Sequence, residues 1–277
     1  MARRAFTLIE VLVITAIVGT LVGVLLPALS GARDAARGAV CSSNVRQFGV
    51  AWTMYAGDHD GLAMPLAYTD PADTGGGDSV YWWGADGSAS GSLDHSRGLL
   101  SSYLDAKPGE IGPFACPAQR PGTYAHQGAT QAPTSTYGYN GYYLSPAYTP
   151  GWSYEIGHRP HQRLSGIADP ASLLVFADTL ISRGPMVLPA SNALLDPPML
   201  YAGAGPDGAR WRRNGFPTTC FRHGGLGAGA SCMAVHADGS ARGYRAEAGW
   251  LTQPARGIGS VGIHNGPRYI PDWRVWR

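Results

Sequence analysis

Charge is scarce in this sequence. Charged residues make up 14% of the 277 residues, against roughly 25% in a typical soluble domain, and Lys107 is the only lysine. The formal net charge is +2, from 21 Lys and Arg against 19 Asp and Glu. This balance lacks the basic excess on which nucleic-acid binding depends, so no nucleic-acid partner is expected.

Recognisable catalytic and metal-binding motifs are also missing. The sequence has no pattern of a nucleophilic triad, and none of its four cysteines stands in C-x-x-C spacing, which argues against zinc binding or redox catalysis. No apolar run of membrane-spanning length and no internal repeat occurs in residues 59–277. We therefore expect a non-enzymatic protein without a cofactor and with a single membrane span.

The N-terminus combines a short basic leader with one long apolar segment. Arg3 and Arg4 precede the segment 6–29, in which Glu10 is the only charged residue. A helix over this segment would extend about 36 Å, enough to cross a hydrocarbon core about 30 Å thick. The two arginines predict a cytoplasmic N-terminus and place the rest of the chain outside the cytoplasm.

The helical pattern continues beyond the apolar segment to about residue 56. We predict four parts: a leader (1–5), a transmembrane half-helix (6–29), an amphipathic half-helix (30–57) and an extracytoplasmic globular head (58–277). The second half-helix presents an apolar stripe with spacings of +4, +3, +4 and +3. The stripe consists of Cys41, Val45, Phe48, Trp52 and Tyr55.

The head contains short strand-like segments separated by turn residues. Asp238-Gly239 between two of these segments predicts a two-residue hairpin. The expected fold class is α+β, a long N-terminal helix packed on an antiparallel sheet with long loop insertions. The predicted strands are Ser79–Trp83, Thr136–Leu144, Leu173–Ala177, Ser231–His236 and Ala241–Arg245.

The segment Ala5-Phe6-Thr7-Leu8-Ile9-Glu10-Val11 resembles the N-terminal signal of type IV pilins and type II secretion pseudopilins. In that family, a prepilin peptidase cleaves the leader and N-methylates the new terminal residue. The resemblance implies cleavage between Ala5 and Phe6, although the family usually has Gly where this chain has Ala5. It also implies that Glu10 pairs with the α-amino group of a neighbouring subunit. An ammonium and a carboxylate are tolerated in apolar surroundings only as a pair.

Several later segments resemble a narrower family of large pilin-like proteins that are abundant in planctomycetes. They include the helix end from Cys41 to Gly49 and the segment from Tyr55 to Gly61. The family's C-terminal signature, a His followed by an Asp-Gly turn, would correspond to His223 and to Asp238 with Gly239. The resemblance implies a pilin-like fold over residues 1–245.

The four cysteines suggest disulfides, because their number is even and the compartment is extracytoplasmic. Four cysteines allow three pairings, and free buried thiols are the alternative. The spacing favours Cys41 with Cys116, which would join the helix to the head, and Cys220 with Cys232, which would close a loop.

Asp58 and Asp60 resemble a fragment of a calcium-binding loop, in which carboxylates alternate along the chain before a glycine. The other ligands of such a loop are missing. A simple turn that ends the helix is the competing interpretation, and the more economical one.

These patterns predict a pilin-like or pseudopilin-like structural subunit in the bacterial inner membrane, whose head is periplasmic or extracellular. Its partners would be prepilin peptidase and, through the N-terminal helix, other subunits of a type IV pilus-like or type II secretion filament. The alternative is a membrane-anchored protein that binds carbohydrate or a surface through aromatic and Arg-rich loops and does not polymerise. A removable export signal is a further alternative, but Glu10 within the apolar segment argues against it.

Overall fold

We describe the protein from a computed structural model. The structure describes residues 7–75, 77–87, 93–106, 112–120, 122–125, 134–145, 161–184, 186–201, 211–225, 227, 229–272 and 274. Ala5 and Phe6, the predicted processing site, lie outside these residues.

Helix α1 extends from Leu8 to Asp58 without a break, and Pro27 lies inside it. Thr7 caps its N-terminus, where side-chain oxygens satisfy amide groups that have no partner within the helix. The predicted stripe from Cys41 to Tyr55 is buried over its whole length. The sequence therefore predicted both the existence and the buried face of this helix.

The remaining elements are short. The other helices are α2 Pro71–Thr74, α3 Ser101–Leu104 and α4 Gly141–Leu144. The strands are β1 Ala67–Tyr68, β2 Ser79–Tyr81, β3 Gly84–Asp86, β4 Leu93–Asp94, β5 Tyr137–Tyr139, β6 Leu174–Asp178, β7 Met199–Tyr201, β8 Trp211–Arg213, β9 Thr219–Cys220, β10 Ser231–His236, β11 Ala241–Arg245, β12 Leu251–Gln253 and β13 Ile258–Gly259.

The strands form antiparallel sheets in the orders β1-β2-β3-β4, β11-β10-β6-β5, β12-β13-β9 and β7-β8. The second sheet is the one on which the C-terminal half of α1 packs, through contacts with β10, β11 and β6. A helix packed on antiparallel sheets is an α+β fold, so the predicted fold class is confirmed.

The main core lies between α1 and the sheet β11-β10-β6-β5. The Phe48 ring lies between 5.2 and 5.8 Å, centroid to centroid, from the rings of Trp82, Phe114, Tyr137 and Phe176. A second core of buried residues includes Phe221 and Tyr269. The first core fixes the position of the helix against the head.

Candidate functional site

The N-terminal half of α1 is an exposed apolar surface. Leu8 is 81% exposed, Val24 is 73% exposed, and residues 7–36 are exposed throughout. This part of the helix is long and apolar enough to cross a membrane, as judged by length and composition. The head covers only the C-terminal half of the helix, from Gly38 onward.

Glu10 is the acidic residue in this apolar half, and its carboxylate closes a capping box. The backbone amide and the hydroxyl of Thr7 donate to Glu10 Oε2 at 2.8 and 2.9 Å. The Glu10 amide donates to Thr7 Oγ1 at 3.3 Å. The carboxylate therefore has hydrogen-bond donors within its own chain, which makes its position in an apolar helix less costly.

A disulfide joins Cys41 of α1 to Cys116 in the head, with Cα atoms 5.4 Å apart and 75 residues between them in sequence. The predicted pairing of these two cysteines is confirmed. The bond lies about two thirds of the way along α1, where the helix enters the core.

Beside the disulfide lies a buried polar cluster formed by Cys41, Cys116, Asp178 and His223, whose donor atoms all lie within 4.8 Å of one another. His223 Nε2 lies 3.1 Å from Asp178 Oδ2 and 3.6 Å from Cys116 Sγ. Since one ring nitrogen faces both partners, the three residues do not form a relay from carboxylate through imidazole to sulfur. We refer to these four residues as the Cys–Asp–His cluster.

Arg222 supplies the positive charge next to this cluster. Its Nε lies 3.7 Å from Asp178 Oδ1, and its Nη2 donates to the carbonyl groups of Thr136 and Thr179 at 3.1 and 2.9 Å. Asp178 is fully buried and Arg222 is 9% exposed. Separating such a buried pair would leave an uncompensated charge, so the two residues stabilise each other's burial.

Cys220 and Cys232 are free thiols, so the predicted disulfide between them is wrong. His223 forms an antiparallel β-bridge with Ser231 across the loop. Because Cys220 lies three residues before His223, this register does not place it opposite Cys232. Cys220 packs in one apolar cluster and Cys232 in another. Burial raises the pKa of both thiols, which keeps them protonated and unreactive.

The proposed calcium ligands have other roles in the structure. Asp58 ends α1 and its Oδ2 accepts a hydrogen bond from the Tyr103 hydroxyl at 2.8 Å. Asp60 adopts a left-handed conformation with a φ of 53° in the turn after the helix. Among the described residues, neither belongs to a group of three or more potential metal ligands. These contacts favour the simple turn.

The hairpin at Asp238-Gly239 is present, with Ser231–His236 and Ala241–Arg245 as its strands. Its loop is longer than the predicted two-residue turn, because the His236 amide donates to the Ser240 carbonyl and residues 237–239 lie between them. Asp238 Oδ1 accepts from the Ser240 amide at 2.9 Å, and Gly239 has the positive φ that such a turn requires. The carboxylate bonded to His223 is that of Asp178, not that of Asp238.

No role for Asp178 or Arg222 was predicted from the sequence. Asp178 is the last residue of β6. Its partners are distant in sequence, and no spacing rule would have connected Asp178 with His223 across 45 residues.

Residues 30–166 match the model of a family described as "Protein of unknown function (DUF1559)". The match covers just under half of the chain and contains Cys41 and Cys116, whereas Asp178 and His223 lie beyond it. No curated protein and no solved structure matches the chain with significant similarity.

Proposed function

We propose that the protein is a non-enzymatic, pilin-like structural subunit. In this proposal the N-terminal half of α1 anchors the subunit in the inner membrane and becomes part of a filament core after prepilin peptidase has cleaved between Ala5 and Phe6. The head lies outside the cytoplasm and defines what the subunit contacts. A minor or specialised subunit fits the large, loop-rich head.

The observation that carries the proposal is the division of α1 into two halves. The C-terminal half buries its stripe in the head, while the N-terminal half leaves its large apolar side chains exposed on every face. A contiguous apolar surface of this size requires lipid or a protein partner. Packing of equivalent helices from neighbouring subunits would cover it after the helix leaves the membrane.

Glu10 supports the same proposal through its charge. Apart from Glu10, α1 carries no charged residue before Arg33, so a neighbouring subunit's α-amino group would meet a single anionic partner in this region. Pairing at one position would fix the axial register between subunits. The capping box with Thr7 holds the carboxylate at the start of the helix, next to the predicted new N-terminus.

The alternative of a carbohydrate-binding protein depends on exposed aromatic side chains. Trp82, Trp83 and Tyr143 are buried, with at most 3% exposure, so these three do not provide a stacking surface for sugars. Tyr81 and Tyr142 are partly exposed, and Arg212 and Arg213 are exposed. Trp152, another aromatic residue considered for this role, lies outside the described residues.

The experiment is to express Glu10→Ala in cells that assemble the filament and to measure its share in the sheared filament fraction and in the membrane fraction. We expect normal membrane insertion and a loss of at least about tenfold from the filament fraction, since one buried ion pair can be worth more than 1.4 kcal/mol. Asp34→Ala is the matched control, because it removes an exposed carboxylate whose salt bridge to Arg37 lies outside the apolar half. Incorporation of Glu10→Ala at the control level would contradict the proposal.

A further inference from the structure

The Cys–Asp–His cluster brings together the donor types that zinc prefers. Two sulfurs, one imidazole nitrogen and one carboxylate converge from four separate parts of the chain: α1, the segment after residue 114, the end of β6 and the segment after β9. The absence of C-x-x-C spacing had argued against zinc at the sequence level. That argument applies to sites with adjacent ligands and does not apply to donors assembled by the fold.

The four donor atoms lie near the spacing that a tetrahedral zinc site needs. With Zn–S bonds of about 2.3 Å and Zn–N bonds of about 2.0 Å, tetrahedral ligand atoms lie about 3.3 to 3.8 Å apart. The donor atoms of the cluster all lie within 4.8 Å of one another. The two sulfurs are bonded to each other in the disulfide, so only its reduction frees them to reach the spacing of two zinc-bound thiolates.

We propose that the reduced form of the protein binds one Zn²⁺ ion through Cys41 Sγ, Cys116 Sγ, His223 Nε2 and an Asp178 carboxylate oxygen, so that zinc and the disulfide are alternative crosslinks at the same position. The proposal is independent of filament assembly, because it concerns only the junction between α1 and the head.

The charges of the cluster balance in this form. Two thiolates, one carboxylate and Zn²⁺ sum to −1, and the adjacent Arg222 guanidinium brings the buried group to zero. Among the described residues, Asp178 Oδ1, His223 Nδ1 and Arg222 Nε have no hydrogen-bond partner. Buried polar atoms without a hydrogen-bond partner are rare in folded proteins, and these three belong to residues of the cluster or to the adjacent Arg222.

The chemical steps are also balanced. A dithiol reductant opens the Cys41–Cys116 bond by thiol–disulfide exchange. The dithiol becomes a disulfide, and two electrons and two protons pass to the two sulfurs. Zn²⁺ then displaces the two thiol protons, which are released to solvent. In the zinc form His223 Nε2 binds the ion, which leaves the ring hydrogen on Nδ1.

One residue of the cluster borders a surface groove. A groove of about 730 Å³ between α1 and the β9–β10 connection reaches His223. Small residues such as Gly38, Ala39 and Gly224 line it, together with the carboxylate of Asp34. The other three residues of the cluster lie behind His223 and are buried, so an ion would enter through movement of the groove side of the head.

The test compares the disulfide form and the dithiothreitol-reduced form of the full-length protein in detergent, after removal of reductant under anaerobic conditions. Each form is titrated with Zn²⁺ against a chromophoric chelator and with Co²⁺ for spectroscopy. We expect one metal ion per reduced chain, with thiolate-to-Co²⁺ charge-transfer absorption and tetrahedral d–d bands, and no stoichiometric binding to the disulfide form. Absence of binding to the reduced wild-type protein would overturn the proposal without reference to any variant.

Variants then identify the ligands. Cys116→Ser and His223→Gln should weaken binding by about 100-fold or more, since even the loss of an outer-shell contact costs 10- to 100-fold. Cys232→Ser, which removes a buried thiol outside the cluster and keeps the hydrogen bond between Cys220 and Arg222, is the matched control and should bind like wild type. Near-ultraviolet circular dichroism shows whether each variant keeps the fold. Wild-type affinity in folded Cys116→Ser or His223→Gln would overturn the assignment.

Discussion

At the scale of single residues, the head contains buried polar side chains that are hydrogen-bonded to specific neighbouring groups. His236 is fully buried on β10. Its Nδ1 lies 2.9 Å from the Ser240 carbonyl oxygen and its Nε2 lies 2.6 Å from the Tyr244 hydroxyl. A neutral imidazole satisfies both contacts by donating from Nδ1 and accepting at Nε2.

His236 should make the stability of the protein depend on pH. Burial lowers its pKa from the ordinary value of 6.5, the Ser240 carbonyl and Asp238 oppose this shift, and Arg242 and Arg268 reinforce it. Because the unfolded chain binds the proton more readily, the stabilisation is fully present above pH 6.5 and is lost as the pH falls toward the lowered pKa. The loss is at most about 1.4 kcal/mol per pH unit for one histidine.

The measurement is the free energy of unfolding between pH 8 and pH 5 for wild type and for His236→Gln. The variant should lack the His236 contribution to the slope below pH 6.5. The remaining slope combines His161, whose pKa burial lowers, with an opposite contribution from Asp196, whose pKa burial raises to about 7. His264→Gln, at an exposed position, should keep the wild-type slope. An unchanged slope in His236→Gln would contradict the assigned role.

Single polar residues were the least predictable part of the sequence. Asn44 lies outside the apolar stripe of α1, yet it is buried and its Nδ2 donates to the Tyr137 hydroxyl at 3.3 Å. The partner lies 93 residues away, so the local helical pattern contains no information about it. The role of the Asp178 carboxylate was missed for the same physical reason.

At the scale of elements, the close approach of α1 to the sheet depends on Gly49. An added Cβ at this position would lie 2.6 Å from Val235 Cγ2 on β10. Valine is stiff at its first side-chain torsion and Val235 is fully buried, so the helix and the strand would have to move apart. This glycine therefore sets the distance between the two layers.

Gly49→Ala should destabilise the protein by about 1–3 kcal/mol, the usual cost of overpacking a core. Gly57→Ala is the control on the same helix, since an added Cβ there meets nothing within 4 Å. It should stabilise the protein by a few tenths to about 1 kcal/mol through backbone entropy. Denaturant unfolding of both variants measures the difference, and equal effects would show that Gly49 does not control the packing distance.

Elements with strong periodicity or turn chemistry were predicted well. The stripe on α1, the hairpin at Asp238-Gly239 and the strands that flank this turn correspond to the structure. The predicted strand Thr136–Leu144 is only half correct, because β5 ends at Tyr139 and α4 follows. The break is at Asn140, whose side-chain amide donates to the carbonyl groups of Leu174 and Tyr269, contacts that a local pattern does not encode.

At the scale of the whole molecule, the two halves of α1 have different surroundings. Its N-terminal half is exposed and apolar, and its C-terminal half is part of the core of the head. If the subunit is processed as we propose, the chain recovered from membranes begins at Phe6 and carries one methyl group on its α-amino nitrogen.

Intact-mass and N-terminal peptide mass spectrometry on the native protein check this prediction. Protein from cells without prepilin peptidase is the control and should retain residues 1–5. An intact Met1 in the wild-type background would contradict processing, and a terminus near Ser30 would indicate a removed export signal instead.

The Cys41–Cys116 bond has a mechanical consequence for such a filament. A subunit held in a fibre by residues 8–29 and pulled by whatever its head contacts would experience a load across the junction between helix and head. Packing of Phe48 and its neighbours resists shear only while the core stays closed. The disulfide passes the load into α1 at Cys41 through a covalent bond, so the core between residues 41 and 116 is shielded from tension. With neither the disulfide nor another crosslink at this position, the load would cross the junction through noncovalent packing alone.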